Sequence, residues 1–338
     1  MNYINNRFLL QKRPTGMPED NCWVMDSQKI TELQKQEILI KAEYLSIDPY
    51  MRGKMNDSIS YTPPLKIGEV MVGESVGTVI ESKSKNYAVG DLVTVHQGWQ
   101  TYIKTKDSDP SVLKVPESKL NSSVFLGTLG MPGRTAYFGL NYVGKPQPGE
   151  TLVVSAASGA VGSVVGQLGK LIGCEVIGIA GGPEKSKYVT EELKFDQCID
   201  YKNENVVEKL EKYCPNGIDI YFENVGGEIT KMVSKFLNKN ARVPICGFIS
   251  KYNSTNIAGE ETPFHVLGAL NPKPKHRFFV VTEWLNQFEK ATSILHEHVK
   301  NGDIKFRETI TPGFENAPQG LRDVLSGKNF GKQIIKII

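Results

Sequence analysis

The sequence predicts an α/β protein: a doubly wound parallel sheet that follows a β-rich first domain. Three observations carry this. From about residue 126 onward, strand-like and helix-like segments alternate, the pattern of a parallel sheet with helices on both faces. Residues 1–125 are rich in β-branched and aromatic runs and poor in helical periodicity. The first strand of the alternating part runs into a glycine-rich turn, SAASGAVGSVVGQLGKLIGCEVIGIAGG, from Ser155 to Gly182.

Each element has its own signal. In the first domain EILIKAEYLSID (37–48), SVGTVIES (75–82) and DLVTVHQGWQTYIKT (91–105) read as strands, joined by the turn-rich YAVGD (87–91) and DPSVLKVPES (109–118). SSVFLGTLGMPGRTAYFGLNYVG (122–144) reads as helix, break, helix. Strand TLVVSA (151–156) leads through the glycine helix to strand EVIGIA (175–180). Helices 183–193, 206–214 and 228–237 then alternate with strands 196–201, 218–225 and 241–247. RFFVVT (277–282), a helix over 285–302, a strand at 304–310, a helix at 316–327 and a closing strand at 332–338 complete the chain. The polar stretch 251–275 reads as a long loop or cover segment, a length that usually serves function or is disordered.

Composition excludes several classes. The 338 residues carry a net charge of +3, with basic residues spread rather than massed, so neither nucleic acid nor a membrane surface is an expected partner. Thr151–Gly169 has no charged residue, but Ser155, Ser158, Ser163 and Gln167 interrupt it and its first part is β-rich, against a spanning helix. The opening MNYINNRFLL lacks the apolar core of a signal peptide. Five cysteines, at 22, 174, 198, 214 and 246, form no CxxC pair; the expected compartment is the reducing cytoplasm.

Glycines 159, 162, 166, 169 and 173 repeat at alternating gaps of three and four, along one face of a helix, although each costs roughly 1 kcal/mol of helix propensity against alanine. A strand, a glycine turn and a helix together grip a dinucleotide pyrophosphate, with helix-start N–H groups and the helix dipole facing the phosphates. Gly159 lets the backbone approach a phosphate, Gly162 lets the helix close on the sheet, and the later glycines extend that approach. Ala157 stands where the G-x-G-x-x-G fingerprint has its first glycine. The second strand ends in Ala180-Gly181-Gly182-Pro183 with no acid to hold a ribose 2′-OH, and Lys185 follows. An uncharged turn beside a lysine suits a 2′-phosphate, so the expected cofactor is NADPH/NADP rather than NADH.

Taken in order, LSIDPYMRG (45–53), LGMPGRTAYFGL (129–140), the glycine segment through Lys185, YFENVGGE (221–228), ICGFISKYN (245–253), FFVVTEW (278–284) and GKNFGKQIIKI (327–337) resemble the medium-chain dehydrogenase/reductase superfamily. Within it the chain is similar to the zinc-independent leukotriene B4 dehydrogenase, prostaglandin reductase and alkenal double-bond reductase group. The resemblance implies a GroES-like β-barrel over 1–125, completed by 303–338, and a Rossmann NADPH-binding domain over 126–302. It implies that Gly159, Ala160, Val161 and Gly162 hold the pyrophosphate, and that Lys185 and Tyr201 contact the adenosine 2′-phosphate region. Asn224, Cys246, Gly247, Phe248, Ile249, Ser250, Tyr252, Phe279, Val280, Val281 and Asn329 would line the rest of the cofactor site. Cys246 is expected as a small buried residue, not a nucleophile. A homodimer is a family-level expectation. Arg134, where the family more often has an apolar residue, Glu223 for a frequent Asp, Glu74 near a tyrosine of plant members, and the loop 254–275 depart from the pattern.

The zinc enzymes of this superfamily need a cysteine, a His-Glu pair and a further ligand. Residues 1–125 hold one histidine, His96, and one cysteine, Cys22, so no metal site is expected. His296 and His298 are two apart on a helix and point to different sides. No Ser-His-acid arrangement has support. The chemistry that then suits the chain is hydride transfer to the β-carbon of an α,β-unsaturated aldehyde or ketone, which needs a hydrogen-bond donor at the carbonyl oxygen. Tyr252 is the candidate catalytic donor, Tyr50 a candidate for the substrate wall, and Arg52 a structural or ionic residue. The alternatives are a zinc-free NADPH quinone reductase and a non-catalytic NADPH-binding sensor.

Overall fold

A computed structural model describes residues 3–57, 63–254 and 259–337. The described residues divide into two compact units, one within 1–127 with 252–254 and 308–337, the other within 128–251 with 259–307.

The first unit opens with an antiparallel pair, β1 (Ile4–Leu10) and β2 (Trp23–Lys29), with Ile4 opposite Lys29 and Leu10 opposite Trp23. There follow β3 (Glu37–Ser46), the short helix α1 (Tyr50–Lys54), β4 (Ser75–Ser82), β5 (Leu92–Val95), β6 (Tyr102–Lys106) and β7 (Leu113–Lys114). β3 is the hub. Its Ile38, Ile40 and Ala42 pack with Val79, Val93, Val95 and Ile103, while Leu39 packs with Ile30 and Leu33. The apolar run Ile38–Leu39–Ile40 is buried on both faces of the strand, while Lys41 points to solvent. The single strand expected over 91–105 is two strands. Gly98 interrupts it at φ +86, in a corner where a Cβ would meet Val70 and the Met71 backbone.

The second unit begins with α2 (Met131–Phe138), extended by a wider turn over Gly139–Gly144. It continues through β8 (Thr151–Ser155), α3 (Gly162–Ile172), β9 (Glu175–Ala180), α4 (Pro183–Lys187), β10 (Gln197–Asp200), α5 (Val206–Tyr213), β11 (Ile218–Phe222), α6 (Gly227–Ser234), β12 (Leu237–Ile245), α7 (Pro263–Gly268), β13 (Lys275–Phe278) and α8 (Phe288–Lys300). Among the described residues these strands form a six-stranded sheet in the order β10-β9-β8-β11-β12-β13, every pair parallel. Numbered along the chain, that is the doubly wound order 3-2-1-4-5-6, whose direction reverses between β8 and β11. β8 is buried at every position.

The glycine stripe of α3 is a contact surface. A Cβ on Gly162 would sit 2.9 Å from the Ala156 carbonyl carbon and 3.0 Å from Ala157 Cα. One on Gly166 would overlap the Phe195 ring, and one on Gly169 would press on Leu152 and lie 3.2 Å from Val176 Cγ2. Gly173 has a different task from the close approach expected of it: at φ +98 it ends the helix. Its N–H and that of Cys174 both reach back to Gly169 O, at 3.1 and 3.0 Å, a left-handed cap that favours glycine. Gly166→Ala is expected to cost about 1–3 kcal/mol by forcing the Phe195 ring aside, seen as a lower denaturation midpoint. An unshifted midpoint would mean that the ring yields freely.

The tail returns to the first unit as β14 (Glu308–Pro312), α9 (Ala317–Leu325) and β15 (Lys332–Lys336). β15 lies between β14, parallel to it, and β3, antiparallel with Ile334 opposite Ser46. β6 takes the other half of the same β3 edge, with Glu37 opposite Lys106. Lys332, buried, donates to Ile47 O at 2.9 Å and pairs with Asp48, fastening β15 to the end of β3. The strand expected from residue 304 starts later, since Ile304 is buried and its N–H closes the end of α8 on His298 O. The segment 251–275, expected as a loop, contains α7. Thr262 and His265 form its capping box, and Leu267 enters the core under the sheet. Thr255–Ala258 of that segment lie outside the described residues.

Candidate coenzyme and active site

In the second unit the sequence-derived candidates all follow the carboxyl ends of the parallel strands: residues 159–162 after β8, Lys185 after β9, Tyr201 after β10, Asn224 after β11, residues 246–250 after β12 and residues 279–281 after β13. That edge, where the strand order reverses, is where open α/β sheets bind ligands. Ser155 and Glu223 hold the reversal point together. Ser155 Oγ donates to Phe222 O at 3.3 Å and accepts from the Asn224 N–H at 2.8 Å, and Asn224 Nδ2 donates to Ser155 O at 2.7 Å. Glu223, with no exposed surface, accepts the N–H groups of Val225 and Gly226 at 2.8 and 3.0 Å and bonds Thr230 at the start of α6. The Glu that departs from the family's Asp therefore fixes the loop that presents Asn224.

The turn after β8 carries Ala156 at φ +51, a conformation costing a non-glycine residue roughly 1–2 kcal/mol. It directs the chain through Gly159, Ala160 and Val161, all half-buried, into the N-terminus of α3 at Gly162. A Cβ on Gly159 would meet Ala156 O at 3.1 Å. The fit to a dinucleotide phosphate is therefore the fit of an eleven-residue helix whose first turn is glycine-lined and faces the reversal point.

At the tip of β9 the structure brings together more than was expected. The Tyr201 ring lies against Gly181, where a Cβ would be 2.8–2.9 Å from it. Lys185 is half-buried; burial, then the neighbouring Lys202 ammonium, hold its pKa below the ordinary lysine value, with Glu184 opposing. The Glu184 carboxylate lies 3.8 Å from the Arg307 guanidinium. Lys202 was missed, though its place directly after Tyr201 at the end of the third strand was a legible signal. Asp200 was missed too. Although burial opposes it, bonds from Asn203, Gly182 N–H and Lys202 N–H draw its pKa below the ordinary carboxylate value. Its oxygens are occupied by the turn itself, so this acid shapes the turn.

The loop after β12 packs on the loop after β11. Ile249 N–H and Ser250 N–H donate to Asn224 O and Val225 O at 3.2 and 3.0 Å, and Gly247 N–H to Glu223 O at 3.2 Å. Phe248 Cβ sits where a Cβ on Gly226 would be 2.7 Å away. Burial, then Glu223, push the Cys246 thiol up to about 12, which keeps it protonated and a poor nucleophile. Phe279 is buried in an aromatic group with Phe222 and Trp284, so it reaches this edge through its backbone. Val280 and Val281 are half-buried, and Glu283 accepts the Val280 N–H at 2.9 Å. Arg134, another of the departures, lays its guanidinium 4.6 Å over the Phe288 ring.

Three candidates belong to the first unit. Tyr50 opens α1, and its Oη lies 2.8 Å from His96 Nε2, the rings stacked at 6.4 Å. Tyr252 is half-buried and directly precedes Asn253, whose carbonyl accepts from the wholly buried Arg52 at 3.4 Å. Asn329 donates to Gly331 O at 2.9 Å. Among the described residues no group of three or more His, Cys, Asp or Glu could hold a metal ion, and no helix is long and apolar enough to cross a membrane. His298 lies 3.0 Å from the Asp303 carboxylate.

One unit with a doubly wound sheet and a glycine turn at its reversal point, and another with a mainly antiparallel sheet, are the architecture of a class of nucleotide-dependent oxidoreductases. Residues 6–113 match the family described as the N-terminal domain of oxidoreductase, and residues 160–285 the one described as zinc-binding dehydrogenase. The chain belongs to the medium-chain dehydrogenase/reductase superfamily, in its zinc-independent reductase group. It is 43% identical to the NADPH-dependent curcumin reductase of Escherichia coli, over 98% of this chain and 97% of that protein. It is 39% identical to prostaglandin reductase 1 of Sus scrofa, over 97% of each. The crystal structure of CurA from Vibrio vulnificus in complex with NADPH superposes with a TM-score of 0.92 at 42% identity, over 98% of this chain and 99% of that one.

Proposed function

We propose that the protein is an NADPH-dependent reductase of the C=C bond of α,β-unsaturated aldehydes and ketones. The second unit binds the coenzyme, and Tyr50 is the proposed substrate-wall residue. The observation that carries the coenzyme choice is the tip of β9, where Lys185, Lys202 and Tyr201 follow or flank an uncharged Gly-Gly turn; of the acids there, Asp200 is occupied by Gly182, Lys202 and Asn203, and Glu184 lies 3.8 Å from Arg307. The full-length likeness to an NADPH-dependent curcumin reductase supports the substrate class, because curcumin is itself a conjugated ketone.

NADPH, when bound, supplies the hydride. Gly159, Ala160, Val161 and Gly162 hold the pyrophosphate, while Lys185, Lys202 and Tyr201 hold the 2′-phosphate region. Asn224, the loop 246–250, the backbone of 279–281 and Asn329 line the remainder. Tyr252 donates its O–H to the substrate carbonyl oxygen, which gains negative charge as the β-carbon accepts hydride. Tyr50, steadied by His96, forms part of the substrate wall. The α-carbon takes its proton from water.

The test is a panel of 2-nonenal, a vinyl ketone, a saturated aldehyde and a quinone, each with NADPH and with NADH. Loss of reduced coenzyme with the two conjugated carbonyls, and products heavier by two hydrogens with the carbonyl retained, is the expected result. Turnover of the quinone alone would make the protein a quinone reductase. Tight NADPH binding without turnover would make it a coenzyme-binding protein.

A further inference from the structure

We infer that Arg52 and Asn56 form a latch that positions Tyr252 by gripping the two peptide carbonyls that follow it; the inference rests on Tyr252 being the carbonyl donor. Arg52 has no exposed surface. Its Nε and Nη2 donate to Gly16 O at 3.1 and 2.8 Å, its Nη1 to Asn56 Oδ1 at 2.6 Å, and Nη2 also to Asn253 O at 3.4 Å. Asn56 Nδ2 in turn donates to Ser254 O at 3.2 Å. These acceptors are neutral amide oxygens. A guanidinium buried against such partners is costly to desolvate, and a core site of this size would be filled more simply by methionine or leucine. What arginine offers is a rigid fork of five donors. Here the fork joins the loop at Gly16, the turn closing α1 and the strip of chain after Tyr252.

The spacing makes this a two-point grip. Arg52 and Asn56 are four apart, and their side chains reach consecutive carbonyls, Asn253 O and Ser254 O. Bonds to two successive carbonyls restrain the backbone at Ser254 and pin the chain directly after Tyr252, which limits how far that residue can shift. On the other side of Tyr252, Ser250 N–H is already bonded to Val225 O at 3.0 Å. The turn behind α1 is itself held, with Arg13 donating to Met55 O at 3.0 Å. α1 begins with Tyr50, so one five-residue helix carries the wall tyrosine and anchors the donor tyrosine. Arg52 and Asn56 need touch no substrate; they are positioning residues.

The decisive variant is Asn56→Asp. It removes the amide donor to Ser254 O yet gives Arg52 a carboxylate partner, so stability and positioning should part company. With the full-length enzyme, NADPH and a vinyl ketone, kcat should fall about 10-fold, with the melting temperature unchanged or raised and NADPH affinity within about 2-fold of the parent. In a Tyr252→Phe background the same change should cost less than about 2-fold more, because the hydroxyl that the latch aims is gone. Arg52→Met, should it fold, should behave as Asn56→Asp does in kcat. A parental kcat in Asn56→Asp, or an equal loss with and without the Tyr252 hydroxyl, overturns the latch. If Tyr252→Phe alone leaves kcat intact, the donor assignment fails and the latch with it; if that variant loses activity while Asn56→Asp does not, the latch alone is refuted.

Discussion

Tyr252→Phe should lower kcat on a conjugated aldehyde about 100-fold, or roughly 2.7 kcal/mol of transition-state stabilisation, while NADPH affinity stays within about 2-fold. The substitution removes one oxygen and keeps the ring, so packing around this half-buried side chain persists. The reacting carbonyl is nearly neutral in the bound substrate and anionic only as hydride arrives. A hydrogen bond to it is therefore worth most at the barrier, and its loss falls on kcat rather than on KM. Burial pushes the Cys246 thiol up to about 12, which makes it a poor proton donor. Steady-state kinetics on the variant settle the matter. An unaltered kcat would remove the tyrosine hydroxyl from the chemistry, and an equal rise in KM for every substrate would make it a binding group.

Removing the two lysines at the tip of β9 should have an effect nearly as large on coenzyme choice. Lys185→Ala is expected to weaken NADPH about 10- to 100-fold and to leave NADH unchanged, in line with about 1.5–3 kcal/mol for a charge-assisted bond; Lys202→Ala should act in the same direction. Lys185 is already disfavoured as a cation by burial and by Lys202, and a phosphate dianion relieves both penalties. The pH dependence follows. Anion binding raises the depressed pKa of this ammonium, so affinity is greatest below the free-state pKa and weakens as pH rises through it. Added salt should weaken NADPH more than NADH. Calorimetry with both coenzymes reads all of this, and equal losses for the two would contradict a 2′-phosphate contact.

The parallel sheet was legible because its physics is local. Strands buried on both faces, such as β8 and β9 after Glu175, are largely apolar runs, and each is followed by a glycine turn into a helix. Where one face is wet the signal thinned: β2, WVMDSQK, is exposed or half-exposed at every position after Trp23, and neither it nor β1 was anticipated. Helix α6 was expected to run to residue 237, yet Leu237 already belongs to β12. Within the site, residues next to glycine turns could be read directly. Lys202 could have been read from its place after Tyr201, whereas Asp200 acquires its role only once β9 and β10 lie side by side and Gly182 N–H reaches it. The bond from Arg52 to Asn253 joins residues 201 apart, and no spacing rule anticipates it.

The placement of β15 has a consequence for biosynthesis. Residues 332–336 supply an interior strand of a sheet whose other members, apart from β14, lie before residue 115. The nucleotide-binding half, contiguous apart from the short excursion at Tyr252, can close as it leaves the ribosome. The sheet of the first unit must wait, its β3 edge open beside β6, until residues 332–336 are translated, so strands made before residue 115 are completed after the nucleotide-binding unit.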